Sequence, residues 1–216
     1  DPRAASPVGH LDRLGLLDRR TLLVHCVWVD EADIAAIRAA GAGVAHCPES
    51  NMKLGSGVAP LPALLAAGIP VGLGTDGCAS NNDLDLFREM GAAARLHKVV
   101  SGDPTAVSAR QVLAMATIGG ARALGLAGEI GSLEPGKAAD LVVLDTNRPS
   151  LTPLYRPESH LVYAADGSAV RDVYVAGRPR VRAGRLVDID LERILAEVRA
   201  RAERIRPAAA AGLLRV

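Results

Sequence analysis

The sequence predicts an α/β protein that contains units of a barrel of parallel strands, followed by a small β domain. Three short apolar segments alternate with helical patterns at intervals of about 20–30 residues, which is the rhythm of a (β/α)8 barrel. Each apolar segment ends close to a polar side chain, namely His25, His46 or Asp76. Three strands cannot close a barrel, since closure takes about eight. A doubly wound open sheet is the alternative, although no GxGxxG turn follows any of the three segments.

Composition limits the classes of function. The chain has 216 residues, 49% of them hydrophobic, enough for one large domain or two small ones. A formal net charge of +1 gives no basic field, so neither nucleic acid nor an anionic membrane is an expected partner. The three cysteines form no CxxC pair, which suits a reducing compartment, and we predict a cytoplasmic protein. No apolar run reaches the roughly 18 residues of a membrane helix.

The first residues of the chain lead to an expectation about its length. It has no initiator Met and no signal peptide, and it begins in a loop-like Asp-Pro-Arg-Ala-Ala-Ser-Pro stretch. We therefore expect a piece of a longer polypeptide.

In chain order, the first region alternates helices and strands. Apolar runs predict strands over Leu22–Cys26, Gly43–Cys47 and Ile69–Thr75. Asp30 and Gly41 are the expected start and end signals of the helix between the first two strands. Between the second and third strands, 48–57 is predicted as a long polar loop. The other predicted helices are 8–17, one ending at Gly68, 84–99, 108–118 and a short one ending near Leu124.

From Glu129 onward, turn-rich segments replace this alternation. We predict strands over 139–145 and 160–165, and a hairpin over 170–183, which together form a small β domain. A charged amphipathic helix is expected over 191–205 and a loosely ordered tail over 207–216. The predicted divisions are 1–125 for the barrel units, 126–190 for the β domain, and 191–216 for the C-terminal helix and tail.

Asp76, His25 and His46 are the candidate site residues. In a parallel barrel the chemistry lies at the C-terminal ends of the strands, so three such ends converge on one rim. The alternatives are that Asp76 caps a turn and that the histidines are core residues bonded to backbone carbonyls. Cys26, Cys47 and Cys78 lie beside these groups. A Cys/His zinc site is conceivable there, but strand alternation points the first two away, so we predict small packing residues.

Two further groups of polar residues have more than one possible role. Ser50, Asn51 and Lys53 lie in a loop with few apolar anchors, where a solvated loop is expected. Ser80 and Asn81 are either site residues or caps of the helix predicted near Asp83. A Ser-His-Asp triad is excluded because no GxSxG nucleophile elbow is present.

Four segments make the chain resemble the C-terminal half of the amidohydrolase superfamily, in the branch of methylthioadenosine/S-adenosylhomocysteine deaminases and triazine hydrolases. The segments are VHCVW (24–28), AHCPESNMKLGSG (45–57), GTDGCASNN (74–82) and EPGKAADL (134–141). The resemblance implies a metal-dependent (β/α)8 hydrolase whose strands six to eight lie here, with a composite β-sandwich domain over 126–190. The divalent metal would be zinc, with iron as the alternative.

The resemblance also implies roles for individual residues. Asp76 matches the strand-eight aspartate that ligates the metal and takes the proton of the water. His25 matches the strand-six histidine that orients the activated water and the substrate. Ser80 falls where a loop serine contacts a nucleoside, and His46 is expected to line the substrate pocket. Glu49 stands where relatives often have a small residue such as Thr, so this loop departs from the family pattern.

The same resemblance implies ligands that this chain lacks. A first-strand His-x-His pair and a fifth-strand His-x-x-Glu would precede Asp1, so the missing N-terminal half-barrel is the expected partner, on the same or another chain. The implied reaction is hydrolytic deamination of an N-heterocycle, most simply an adenosine-type nucleoside. The alternatives are hydrolysis of an s-triazine or another purine-like ring, and a catalytically silent interaction subunit. A homo-oligomer is left open.

Residues 1–216 expressed alone should not fold as an autonomous unit. The strands 22–26 and 69–75 would have unpaired apolar edges, and parallel strands are normally buried on both faces. We expect the isolated fragment to aggregate, to bind no stoichiometric zinc and to release no ammonia from an adenosine analogue. A cooperatively melting 216-residue monomer that performs the deamination would contradict this expectation.

Overall fold

A parallel three-stranded sheet lies at the centre of the first region in the computed structural model, which describes residues 6–210. Its strands are β1 (Leu22–Val24), β2 (Gly43–His46) and β3 (Val71–Leu73), in the order β1-β2-β3 with both pairs parallel. All three predicted strands are confirmed, each shorter than expected. Since parallel neighbours end at the same edge, the three strand ends meet there.

Helices surround this sheet and mostly follow the predicted alternation. Asp30 and Asp33 form a reciprocal capping box at the start of the second helix, which ends at Gly41 in the left-handed conformation (φ 68°). The helices of this region are α1 (Pro7–Arg13), α2 (Glu31–Ala40), α3 (Pro48–Lys53), α4 (Leu61–Ala66), α5 (Cys78–Asn81), α6 (Leu86–Ser101), α7 (Ala109–Ala114) and α8 (Gly120–Ala123). A π-helical segment, Met115–Gly119, joins the last two where one helix over 108–118 was predicted.

One local prediction for this region was wrong, and one of two open alternatives is excluded. The segment predicted as a polar loop begins with α3, whose first residue is Pro48, a residue well suited to that position because the first helical N–H has no partner. Ser80 and Asn81 do not cap the long helix, because they belong to α5. The cap of α6 is Asp85, which accepts a hydrogen bond from the Phe87 backbone N–H.

Two glycines allow the helices after α7 to approach the sheet closely. A Cβ atom added to Gly72 in β3 would lie 2.8 Å from the Cα atom of Gly120, and one added to Gly43 in β2 would lie 2.3 Å from the carbonyl oxygen of Ala123. These separations are too short for any side chain. The resulting contact helps to bury the sheet, whose Val44 is 0% and Val71 is 3% exposed.

The second region contains an antiparallel sheet of four strands in sequence order. They are β4 (Leu141–Leu144), β5 (Val170–Val175), β6 (Arg178–Arg182) and β7 (Arg185–Leu186). The predicted strand over 139–145 and the hairpin are thus present. The predicted strand over 160–165 is instead α9 (Pro157–Tyr163), which starts at a proline and buries Val162. Between residues 126 and 190 the structure has this one sheet, whereas a sandwich requires two.

The last element is the long helix α10 (Leu191–Ala210), which confirms the helix predicted over 191–205. It continues past Pro207, where a loose tail was expected; the rest of that predicted tail, 211–216, lies outside the described residues. Within residues 6–210, none of the helices combines the length and the apolar character needed to cross a membrane.

Substituting Gly72→Ala should lower the free energy of unfolding by about 1–3 kcal/mol, since overpacking at a rigid contact has a cost of that size. Urea unfolding of the complete protein measures it. Gly128→Ala is the matched control, because an added Cβ meets no heavy atom within 4 Å there, and its effect should stay within about 0.5 kcal/mol. Equal unfolding midpoints for the two variants would show that the contact at Gly72 is not tight.

Candidate active site

The candidate site lies at the edge of the parallel sheet where the strands end. His25 directly follows β1, and Asp76 comes three residues after β3. Their side chains approach each other, with 3.9 Å between His25 Nε2 and Asp76 Oδ2. The strand-end placement predicted for these two residues is therefore confirmed. Both side chains remain accessible, 40% exposed for His25 and 35% for Asp76.

The backbone of both residues is in the left-handed region that non-glycine residues usually avoid. His25 has φ 71°, Cys26 has φ 47° and Asp76 has φ 60°. Each such residue costs about 1–2 kcal/mol, so the surrounding structure must hold it in place. Backbone strain of this kind is typical of functional sites.

Hydrogen bonds from the neighbouring loop and helix hold the Asp76 carboxylate. The Ser50 hydroxyl donates to Oδ2 at 2.7 Å, and the Gly77 backbone N–H donates to Oδ1 at 2.8 Å. These donors favour the charged form, Ser50 most strongly, and they lower the pKa of Asp76 to about 2. Ser80 contributes to the same shift, although the hydrogen bond donated by its hydroxyl goes to the Gly77 carbonyl oxygen at 3.0 Å. Asp76 is thus a carboxylate at neutral pH.

The side-chain amide of Asn51 orients the imidazole of His25. Asn51 Oδ1 lies 2.9 Å from His25 Nδ1. Because an amide oxygen can only accept, this bond requires a proton on Nδ1. In the neutral imidazole, Nε2 is then left with a free lone pair, and this nitrogen is the one that faces Asp76.

His46 occupies a different environment from His25. It is 1% exposed, and its Nε2 lies 3.1 Å from Nε2 of His97 on α6. Burial, together with the neighbouring His97 and His25, lowers the pKa of His46 to about 3, so the residue is neutral at physiological pH. The expected pocket-lining role of His46 does not match this geometry, because its side chain contacts the helix layer.

A cavity of about 370 Å³ opens beside His25 and Asp76. Its wall is largely apolar and includes Val27, Trp28 and Leu54, while Ser50, Asn51 and Asp76 supply polar groups. Small-molecule pockets typically have volumes of about 300–1,000 Å³ and combine an apolar wall with a few oriented polar groups. His46 and Ser80 are not among the residues that line this cavity.

The donors of this chain fit a zinc ion in type but not in number. An imidazole nitrogen and a carboxylate oxygen are both common zinc ligands, and catalytic zinc sites use three protein ligands. Among residues 6–210, no group of three or more His, Cys, Asp or Glu side chains is placed to hold a metal ion. The described part of the chain therefore does not make a complete metal site.

The cysteines add no ligand to this pair. Burial raises the pKa of both Cys26 and Cys47 to about 11, so both are neutral thiols, in agreement with the packing role predicted for them. Cys78 differs from that prediction because it is exposed, at the start of α5.

Ser50 and Asn51 are site residues whose role the sequence did not indicate. They were expected in a solvated loop, but they are 1% and 2% exposed and contact Asp76 and His25 respectively. The segment shows no apolar periodicity, and apart from Pro48 its buried side chains are polar. Pro48 was the one available signal, because proline is favoured in the first turn of a helix.

Comparison with known proteins identifies the family. Residues 3–180 match the model of the amidohydrolase family. This match covers most of the chain, so the chain belongs to the amidohydrolase family. The resemblance stated from the four sequence segments is thereby confirmed.

Individual relatives show which branch of the family this chain is similar to. The chain is 51% identical over 201 residues to a 5-methylthioadenosine/S-adenosylhomocysteine deaminase of Syntrophobacter fumaroxidans, covering 93% of this chain and 46% of that protein. An adenosine deaminase of Xanthomonas campestris, solved with bound zinc, has a TM-score of 0.90 and 47% identity, covering 93% of this chain and 46% of that one. The chain spans about half the length of these relatives.

A triazine-degrading enzyme is a more distant neighbour. The zinc complex of atrazine chlorohydrolase from Arthrobacter aurescens has a TM-score of 0.75 and 34% identity, covering 88% of this chain and 42% of that one. This chain is therefore more similar to the two deaminases than to the chlorohydrolase.

Substituting Ser50→Ala should raise the pKa of Asp76 from about 2 toward its ordinary value. The rise should be incomplete, since the Gly77 N–H still donates. Because the folded-state pKa is depressed, the stability that Asp76 contributes is complete above its unfolded pKa and is lost as pH falls through the folded pKa. In the variant the loss should be smaller and should be complete at a higher pH, because it ends at the raised folded-state pKa while its onset at the unfolded-state pKa is unchanged.

Carboxyl ¹³C titration by NMR measures the Asp76 pKa directly. Ser56→Ala is the control, because Ser56 lines the same cavity and is not one of the groups that shift the pKa of Asp76. An Asp76 titration that is the same in Ser50→Ala and wild type would contradict the assignment of Ser50 as the main donor.

Proposed function

We propose that this chain is the C-terminal part of a hydrolytic deaminase that acts on an adenosine-type nucleoside. The observation that carries the proposal is the His25–Asp76 pair, held at one sheet edge by Asn51 and Ser50. The high identity to proteins named as deaminases of adenosine derivatives supports this substrate class. The product would be the oxo heterocycle, with ammonia as the leaving molecule.

The proposed architecture is the last part of a (β/α)8 barrel, with strands six to eight in 1–125, a composite β domain in 126–190, and a C-terminal helix and tail in 191–216. Within the described part, β1 and β3 are the outer strands of the sheet, and Val24 of β1 is 50% exposed. His46 Nδ1 and Asn51 Nδ2 are buried and find no hydrogen-bond partner among residues 6–210. Additional barrel strands would cover the exposed edge and supply polar partners.

The complete site would also hold a divalent metal, zinc in the first place and iron as the alternative. Asp76 would contribute one ligand, and the other ligands would come from the N-terminal half of the barrel. When bound, such a metal would make hydroxide available near neutral pH by lowering the pKa of water to about 7. Zinc in the related deaminase and chlorohydrolase structures supports this part of the proposal.

The residues of this chain would hold and move the proton. Asp76 is ionised at neutral pH, so it can accept the proton of the attacking water and pass it to the departing amine. His25 would orient the water and the ring through Nε2, the nitrogen left free by the bond to Asn51.

The substrate would enter the cavity beside these two groups. Its apolar wall at Trp28 and Leu54 suits a flat ring and an apolar substituent. Ser80 does not line this cavity, and its proposed contact to the nucleoside rests on the family resemblance alone. We propose that His46 supports the site from the protein core and does not contact the substrate, because it is buried against α6. From cysteine usage, the proposed location of the enzyme is the cytoplasm.

Hydrolysis of an s-triazine, with chloride as the leaving group, is the second candidate. The similarity to atrazine chlorohydrolase favours it to a lesser degree than the deaminase similarity favours the first. Both reactions use the same attack by water, so ammonia release against chloride release from paired substrates distinguishes them. A silent interaction subunit would release neither product.

In the complete enzyme, Asp76→Asn should abolish measurable turnover. Loss of a proton-transfer group alone costs about 10²–10⁴-fold in rate, and an amide is also a weaker metal ligand than a carboxylate. His25→Ala should also lower the rate of ammonia release but should retain more metal. Ammonia release and elemental analysis of the purified variants measure the two effects.

His10→Ala is the control for histidine removal, because His10 is exposed on α1 and lies outside the candidate site. It should leave both activity and metal content unchanged. Equal metal loss in His25→Ala and Asp76→Asn would identify His25 as a primary ligand and contradict its orienting role.

A further inference from the structure

Glu89 on α6 is a fully buried carboxylate with two hydrogen-bond donors. It is 0% exposed. Its Oε2 accepts from the Glu49 backbone N–H at 3.3 Å, and its Oε1 accepts from Asn81 Nδ2 at 2.5 Å. Burial, with the nearby Glu49 and Asp83, raises the pKa of Glu89 to about 7, while both donors act in the opposite direction. A buried charge is costly unless such donors are present.

The two donors belong to the two segments that form the candidate site. Glu49 precedes Ser50 and Asn51 in α3, and these are the residues that bond to Asp76 and His25. Asn81 also donates to the carbonyl oxygen of Thr75 at 2.8 Å, one residue before Asp76. One buried carboxylate therefore connects α3, the loop after β3 and α6.

We propose that Glu89 is a positioning residue, which holds α3 and the loop after β3 in the geometry in which Ser50 meets Asp76 and Asn51 meets His25. The part of this inference that concerns catalysis rests on the proposed deaminase function. The two donors meet different oxygens of Glu89, and a glutamine keeps only one acceptor oxygen, so in this geometry it can accept from only one of Glu49 and Asn81. Its amide N–H₂ would face one of the two donors, and the corresponding segment would be released.

Hydrogen exchange of the complete protein tests the positioning itself. In Glu89→Gln, deuterium uptake should rise in at least one of the two peptides that cover 47–54 and 74–82, the one whose donor faces the amide N–H₂, without a general rise elsewhere. Asp85→Asn is the matched control, since Asp85 is a carboxylate on the same helix end that accepts from Phe87 and Gly167 instead. In the control, both peptides should exchange as in wild type.

A double-mutant cycle tests the consequence for turnover. Misplacement of reacting groups by about 1 Å can cost 10²-fold, and we expect Glu89→Gln to lower kcat by about 10–100-fold with a smaller change in KM. If Glu89 acts through Ser50, the same substitution in a Ser50→Ala background should lower kcat by less than about threefold, since coupled residues are not additive. Asp85→Asn should leave kcat unchanged.

These outcomes separate this inference from the proposed function. Unchanged exchange in both peptides, or an equal rise throughout the protein, would overturn the positioning role whether or not the enzyme deaminates its substrate. Fully additive effects of Glu89→Gln and Ser50→Ala on kcat would overturn the route through Ser50. A wild-type protein without ammonia release would overturn the deaminase alone. If Glu89→Gln does not fold, Asn81→Ala is used instead, because it removes the hydrogen bond from Asn81 to Glu89. Deuterium uptake must then rise in the peptide that covers 74–82.

Discussion

The parallel hydrogen-bond ladder continues past the strand ends, and the geometry of the site depends on this. The His25 backbone N–H donates to Ala45 O, and the Gly74 N–H donates to His46 O, both at 2.9 Å. These bonds fix the chain at the point where it leaves a sheet whose centre, at Val44, is fully buried. The chain then turns sharply within one or two residues, which puts His25 and Asp76 in the left-handed region. The packing of the sheet offsets the cost of this backbone conformation. The conformation in turn directs both side chains to the same edge.

Polar side chains outside the sheet hold the two residues that the strands place at its edge. Ser50 and Asn51 of α3 reach across to Asp76 and His25, and Glu89 accepts a hydrogen bond from the first turn of the same helix. All three are buried, so their hydrogen bonds are protected from competition by water. The charge of Asp76 and the tautomer of His25 are therefore set by a short helix that follows β2, and not by the strands that deliver these two residues.

The strands were predictable because an apolar run followed by a polar residue leaves few alternatives in a buried parallel sheet. The helix α3 was not, since its buried residues Ser50 and Asn51 are polar and give no apolar periodicity. The reverse error occurred at α9, where the apolar residues of 160–165 suggested a strand. There, Pro157 at the helix start was the better signal, and burial of Val162 against α6 and α7 stabilises the helix. Hydrogen bonds between distant segments, such as the one from Asn81 to Glu89, have no local signature at all.

His25 and His46 show why residue type at a strand end does not decide function. Both follow apolar strand residues, and both are followed by cysteine. His46 is still the last residue of β2, and its side chain packs below the edge against His97. His25 lies one residue beyond β1, where its left-handed backbone turns the ring toward Asp76. Burial keeps the His46–His97 pair neutral, with pKa values of about 3 and 4, so one imidazole donates and the other accepts in a link between sheet and helix. β2 includes its histidine, whereas β1 ends one residue before its histidine. This difference of one residue separates a candidate catalytic histidine from a core histidine.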